Sequence, residues 1–197
     1  KRADKGHVYL IGAGPGDAEL LTLKAHRLIQ QADVVMYDWL VNPDIIKMIP
    51  RHVERVFVGK KCGRHSMQQA DICQLMVEVA LTGKKIFRLK GGDPMIFGRS
   101  AEELTFLRDH GIEVTVINGI TSGLAGATSI GIPLTNREYA HGVVFVTGHA
   151  KLDGNNLDWP KLAITANSLK LTLVIYMGIA EAEHIQNGLL KGMPLLT

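Results

Sequence analysis

The chain has 197 residues, of which 46% are hydrophobic and 21% are charged, values typical of a globular protein with one large domain or two modest ones. A formal net charge of +3 with no run of five like charges argues against a nucleic-acid-binding protein, and no apolar run is long enough to span a bilayer. Cys62 and Cys73 are too few for a secreted disulfide framework, so we expect a cytoplasmic protein.

Apolar runs and helical periodicities alternate along the first part of the chain. Short, mainly apolar runs predict parallel strands at 8–11, 34–37, 53–58, 86–89 and 114–117, of which 8–11 is a continuous apolar run. Helices are predicted between them, two of them opened by capping boxes, Ser66 with Gln69 and Ser100 with Glu103. This alternation with short joints indicates an α/β fold with a mainly parallel sheet and helices on both faces.

The pattern changes in the last third of the chain. A small-residue segment, 119–131, predicts a closely packed helix, and 131–139 reads as a connector. Strands are predicted at 143–147 and 171–177, separated by a polar loop that includes Trp159 and Pro160, and a helix is predicted at 180–190. Because two strands and one helix are too few for a stable sheet domain, we expect two α/β domains, 1–134 and 135–197, the second incomplete. Lys1, not Met, opens the chain, which predicts a longer protein.

Candidate binding residues follow the predicted strands. Residues 12–17 follow the first strand, Asp38 the second, Lys60 the third and the Gly91–Asp93 loop the fourth. Paired glycines let the backbone approach a ligand closely or adopt a positive φ. Because parallel strands form their crevice at their carboxyl ends, we expect these residues to share one binding site.

The first glycine loop also imitates a dinucleotide-binding fingerprint, with Asp38 as the ribose-binding acid. The third glycine of that fingerprint is missing, and Pro15 removes a backbone N–H from a loop that would present N–H groups to a pyrophosphate. The loop therefore favours a ligand without a diphosphate, with a nicotinamide oxidoreductase as the alternative. Cys62 and His65 have the spacing of half a metal site, but no second pair follows, so we expect no metal.

Six segments carry a family resemblance: VYLIGAGPGD at 8–17, YDWLV at 37–41, VGK at 58–60, RLKGGDP with IFGR at 88–99, GITS at 119–122 and GIPLT at 131–135. In this order they resemble the tetrapyrrole methylases, and among them uroporphyrinogen-III C-methyltransferase, alone or as the methylase part of sirohaem synthase. The resemblance covers nearly the whole chain. It implies C-methylation of uroporphyrinogen III at two ring carbons to give precorrin-2, with S-adenosylmethionine as methyl donor.

The resemblance also implies two α/β domains with the methyl donor in the cleft between them, in a homodimer. It implies a proton acceptor, Asp38, and a proton donor, Lys60. The implied methyl-donor site consists of Pro15, Gly91, Gly92, Asp93, Ile96, Thr121, Ser122 and Met177. The residues implied to hold the tetrapyrrole are Arg99, Glu102 and Arg137.

The chemistry of the implied reaction agrees with several of these roles. A substrate rich in carboxylates needs fixed cations, and Arg99, Arg137 and His65 are candidates to bind it. As a ring carbon attacks the methyl group, positive charge moves onto the pyrrole nitrogens, where Asp38 or Glu102 can stabilise it. We therefore include Arg99 with Asp38 and Lys60 among the predicted catalytic residues, although a lysine donor needs a lowered pKa at neutral pH.

Five residues depart from the family pattern and affect the turn details that the resemblance implies: Gln68, Ser100, Ala101, Asn118 and Asn136. Two alternatives to the main interpretation stay open. One is a methylase of a later corrin intermediate, and the other is a non-catalytic ligand-binding module.

Overall fold

The computed structural model describes residues 5–59, 67–149 and 156–193. Internal contacts divide the chain into two compact units, Lys1–Ser122 and Gly123–Thr197. The predicted domain limits, 1–134 and 135–197, stay a prediction. Lys60, Cys62, His65 and Ser66 lie outside the described residues.

The described part of the first unit contains a five-stranded sheet in which every pairing is parallel. Its strands are β1 His7–Gly12, β2 Val34–Tyr37, β3 Glu54–Phe57, β4 Lys85–Lys90 and β5 Glu113–Ile117. The order β3-β2-β4-β1-β5 puts β4 and β1 inside the sheet. The parallel α/β sheet predicted from the apolar runs is confirmed.

Helices cover both faces of this sheet, as predicted. Helices α1 (Leu23–Ile29) and α2 (Pro43–Lys47) pack with Phe87 and Leu89 in one buried core, and α3 (Gln69–Leu81) and α4 (Ser100–Asp109) pack with Ile86 in the other. Side chains alternate between the faces of a strand. Arg88 and Lys90 therefore share the face of Ile86 and lie on the α3–α4 side.

The helix starts differ from the predicted capping boxes. Helix α3 begins at Gln69, and the Asp71 carboxylate accepts a hydrogen bond from the backbone N–H of Gln68, the N-cap residue, at 3.1 Å. Arg99 is the N-cap residue of α4, so Ser100 is already helical. Both predicted capping boxes are therefore wrong, because Gln69 and Ser100 occupy first-turn positions.

The second unit contains a parallel pair, β6 (Gly142–Thr147) and β7 (Leu171–Tyr176). Its helices are α5 (Ser122–Ser129, which begins at the last residue of the first unit), α6 (Trp159–Leu169) and α7 (Ala182–Gly192). The predicted loop around Trp159 and Pro160 is wrong, since these residues open α6. Pro160 stands in the first turn, where a missing N–H costs nothing, and Asp158 caps the helix by accepting from the N–H of Lys161 at 3.0 Å.

Among the described residues, no helix is long and apolar enough to cross a membrane.

Candidate active site

Glycine loops meet at the carboxyl edge of the first sheet. The N–H of Gly14 donates to the carbonyl of Gly92 at 3.1 Å, and the N–H of Gly92 donates to the carbonyl of Gly14 at 2.7 Å. Both residues have positive φ, +77° and +65°. A Cβ built on Gly119 would lie 2.2 Å from the Gly92 carbonyl oxygen, closer than any real contact. Three loops distant in sequence therefore touch through their backbones, and side chains are excluded from the contact.

The Asp93 carboxylate links two of the loops at this edge by hydrogen bonds. One of its carboxylate oxygens accepts from the N–H of Met95 at 2.8 Å, and the other accepts from the Asn118 amide and the N–H of Gly119, both at 3.1 Å. The residue is only 8% exposed. Asn118, a departure from the family pattern, thus supplies one of three donors to Asp93. The carboxylate thus holds two loops together through their backbone N–H groups and one side-chain amide.

The segment from Pro94 to Arg99 has an unusual backbone. Phe97 and Arg99, which flank Gly98, have φ values of +48° and +54°. The left-handed conformation costs an L-residue about 1–2 kcal/mol, and such residues cluster at functional sites. The hydroxyl of Ser100, another departure from the family pattern, donates to the Pro94 carbonyl and closes the segment on itself.

Arg99 and Glu102, both predicted to bind substrate, pair with each other. The Arg99 Nε and Nη2 atoms donate to the two Glu102 carboxylate oxygens at 2.8 and 2.6 Å. More than half of each side chain is exposed. The hydrogen bond from Arg99 lowers the pKa of the Glu102 carboxyl and raises the pKa of Arg99. Any carboxylate that binds the Arg99 guanidinium must therefore compete with Glu102.

A second group of charged side chains lies on the α3–α4 side of the first sheet. We call it the buried charge cluster; its members are Asp38, Arg88, Lys90 and Glu103, with Gln69 as a neutral member. Arg88 Nη2 donates to the Asp38 carboxylate at 2.8 Å, and Lys90 Nζ donates to the Glu103 carboxylate at 2.7 Å. Gln69 donates its amide to the other Glu103 oxygen at 3.0 Å. The cluster joins the predicted proton acceptor, Asp38, to α4.

The charged side chains of the cluster are shielded from water. Glu103 is fully buried, and the side chains of Arg88 and Lys90 are 5% and 7% exposed. Burial lowers the pKa of Lys90, and the neighbouring Glu103 carboxylate opposes that shift. Arg88 Nε is the one fully buried side-chain nitrogen or oxygen within the described ranges that has no hydrogen-bond partner. Asp38 is the most accessible of the four charged members, with its side chain 22% exposed.

The sequence reasoning missed Arg88, Lys90 and Glu103. Two signals for them were present. Basic residues at alternate positions of a strand covered on both faces require acidic partners, and Glu103 lies on the same helical face as Leu104 and Leu107. The predicted capping box pairs Glu103 with Ser100, whereas the structure pairs it with Lys90.

The other predicted residues divide as follows. In the first unit, Pro15, Gly91 and Ile96 are partly buried, Thr121 is buried and Ser122 is exposed. In the second unit, Arg137 is exposed, and Met177, which follows β7, has a φ of +54°. Lys60 and His65 lie outside the described residues.

Two findings concern other kinds of site. No group of three His, Cys, Asp or Glu side chains suited to a metal ion occurs in the described part of the chain. An apolar cavity of about 680 Å³ between α6, β7 and α7 contains none of the predicted site residues.

Comparisons with known proteins give one consistent result. A sequence model for the tetrapyrrole (corrin/porphyrin) methylases matches residues 7–196. The siroheme synthase of Baumannia cicadellinicola is 51% identical over 186 residues, which make up 94% of this chain and 39% of that protein. The chain thus spans about two fifths of the length of this curated relative.

Two solved structures have a similar fold. The uroporphyrin-III C-methyltransferase of Thermus thermophilus, complexed with S-adenyl homocysteine, is 42% identical, with a TM-score of 0.78 over 96% of this chain and 73% of that one. The cobalt precorrin-4 methyltransferase is 26% identical, with a TM-score of 0.81 over 94% of this chain and 74% of that one.

Proposed function

The chain belongs to the tetrapyrrole (corrin/porphyrin) methylases, and on that basis we propose that it transfers methyl groups from S-adenosylmethionine to two ring carbons of uroporphyrinogen III, giving precorrin-2. The observation that carries the proposal is 42% identity, over 96% of the chain, to a uroporphyrin-III C-methyltransferase crystallised with the demethylated donor. The 51% identity to a siroheme synthase supports the same reaction.

The methyl donor is proposed to bind along the carboxyl edge of the first sheet. A Cβ on Gly16 would have no atom within 4 Å, so the open side of the first glycine loop leaves room for a ligand. Gly91, Gly92 and Asp93 are proposed to form the floor of this site. Further proposed contacts come from Pro15, Ile96, Thr121, Ser122 and Met177. When bound, S-adenosylmethionine supplies an electrophilic methyl group, so the chain's own work is to orient the donor and exclude water.

Asp38 is proposed to be the proton acceptor. Its carboxylate is held by Arg88 Nη2 at 2.8 Å and by the N–H of Leu40 at 2.9 Å, and it keeps partial access to solvent. A carboxylate fixed in this way can stabilise positive charge on a pyrrole nitrogen and then accept the proton released from the methylated ring.

The substrate carboxylates are proposed to bind Arg99 and Arg137, with Glu102 controlling access to Arg99. Lys60, as proton donor, and His65, as a further substrate contact, remain predictions. A homodimer is also proposed, as the family resemblance implies, and a cytoplasmic location, as the cysteine content indicates; sedimentation of the full-length gene product tests the dimer.

The reaction is tested with the full-length gene product, S-adenosylmethionine and enzymatically generated uroporphyrinogen III without oxygen. We expect the absorption spectrum of precorrin-2 and one equivalent of S-adenosylhomocysteine for each methyl group transferred. Binding of S-adenosylhomocysteine without product would reject uroporphyrinogen III as substrate, and a later corrin intermediate would then be assayed in its place. Binding of NADH in place of S-adenosylhomocysteine would reject the methyltransferase itself.

A further inference from the structure

Arg88 lies between two carboxylates and is hydrogen-bonded to only one of them. Its Nη2 atom donates to Asp38 at 2.8 Å, and its Nη1 atom donates to the backbone carbonyl of Leu89 at 2.7 Å. Its Nε atom lies 3.8 Å from a Glu103 oxygen, beyond hydrogen-bonding distance. The orientation of Arg88 therefore depends on how strongly Glu103 attracts it.

Glu103 is already satisfied by other groups. Lys90 Nζ occupies one of its oxygens at 2.7 Å, and the Gln69 amide occupies the other at 3.0 Å. The cluster thus balances two carboxylates with two cations. Removing one of these buried charges strongly affects the others, because charge interactions in a buried environment are much stronger than in water.

We propose that Lys90 is a positioning residue for methyl transfer: it neutralises Glu103 and so leaves the Arg88 guanidinium committed to Asp38. This inference rests on the proposed function, in which Asp38 is the proton acceptor. Without the Lys90 ammonium, Arg88 is the remaining cation for both carboxylates of the cluster. It then turns its Nε–H toward Glu103, and Asp38 loses its orientation.

The first test is independent of activity. The Arg88 Nε–H signal is observed by 1H–15N NMR in the full-length protein and assigned with Arg88→Lys. In Lys90→Met we expect this signal to move downfield and to exchange more slowly with water, because the Nε–H gains an acceptor. The matched control is Lys84→Met, which breaks the exposed Lys84–Glu54 pair (3.1 Å) and leaves the signal in place. An unchanged Arg88 signal in Lys90→Met overturns the proposal.

The second test is turnover. Lys90→Met is expected to lower kcat by about tenfold or more, since small misplacements of a reacting group have effects of that size, with the KM for S-adenosylmethionine unchanged. The double variant Lys90→Met/Glu103→Gln removes the competing charge and should recover most of the lost kcat. A double variant as slow as the single one overturns the proposal.

The control for a folding defect is a comparison of variants in the Glu103→Gln background. There the loss of Lys90 leaves no buried carboxylate unpaired. In that background the loss of Lys90 should change kcat less than twofold or so. If the wild-type protein makes no product but the Arg88 signal shifts in Lys90→Met, the proposed function fails while the control of Arg88 orientation by Lys90 is supported. If the wild type is active and Lys90→Met equals it, the positioning role alone fails.

Discussion

Replacing Asp93 by alanine removes the acceptor that fastens two loops of the candidate site. Three donors lose their partner: the backbone N–H groups of Met95 and Gly119 and the Asn118 amide. Asn118 is exposed, so water can hydrate its amide after the change. The two backbone N–H groups cannot turn toward water as freely as a side-chain amide, and at roughly 1.5 kcal/mol for each hydrogen bond to a charged acceptor the expected loss of stability is about 3 kcal/mol.

Asp93→Asn gives a graded comparison. Its amide oxygen can still accept from Asn118 and Gly119 if the amide nitrogen faces Met95, so one donor instead of three is left unsatisfied. We expect about half the loss for this variant, about 1.5 kcal/mol. Asp109→Ala, an exposed carboxylate at the end of α4, is the control and should change stability by less than about 0.5 kcal/mol.

The assay is urea unfolding followed by circular dichroism, with calorimetric binding of S-adenosylhomocysteine to the folded variants. Because Asp93 organises the proposed donor floor, we expect Asp93→Ala to weaken binding by about tenfold or more. A stability for Asp93→Ala within about 0.5 kcal/mol of the wild type would refute the reasoning from hydrogen bonds.

Three further predictions concern single positions. Arg99→Ala should abolish turnover and leave binding of S-adenosylhomocysteine largely intact, since Arg99 is proposed to hold the tetrapyrrole; equal losses in product assay and calorimetry would contradict this role. Met177→Gly should be more stable than Met177→Ala by up to about 1 kcal/mol in urea unfolding, because glycine alone relieves the positive φ; the reverse order would show that the backbone is unstrained. Burial lowers the pKa of Lys90, so between that lowered value and the ordinary 10.5 the unfolded chain binds more protons than the folded one. The contribution of Lys90 therefore favours folding at high pH and is lost as the pH falls through the pKa of Lys90 in the folded state. The slope of the free energy of unfolding against pH in this alkaline window should be smaller in Lys90→Met, as urea unfolding at several pH values would measure.

The parallel sheet was predictable because its strands are local signals. Each is a short, mainly apolar run, and the observed strands of the first unit agree with the predicted ones to within a residue or two. Helix α6 was missed because Trp159 and Pro160 resemble a loop, although proline in a first turn also marks a helix start. Local patterns that admit two meanings were thus the source of the errors in secondary structure.

The buried charge cluster was less predictable because its contacts are not local. Arg88 meets Asp38 fifty positions away, and Gln69 meets Glu103 across 34 positions. Strand order decides which charges meet, and the apolar runs do not encode that order. The candidate glycines were identified from strand ends, whereas the individual roles of Asp38, Lys60 and Arg137 came from the family resemblance and remain predictions.

The exposed Arg99–Glu102 pair has a consequence for which anions can occupy the site. A small monovalent anion must displace a carboxylate that is tethered three residues away and bound through two hydrogen bonds, so it competes against a high effective concentration. When one carboxylate of a polycarboxylate ligand is bound at another cation, its other carboxylates also have a high effective concentration near Arg99. We therefore expect the pair to favour a polycarboxylate anchored elsewhere on the protein over chloride and simple carboxylates.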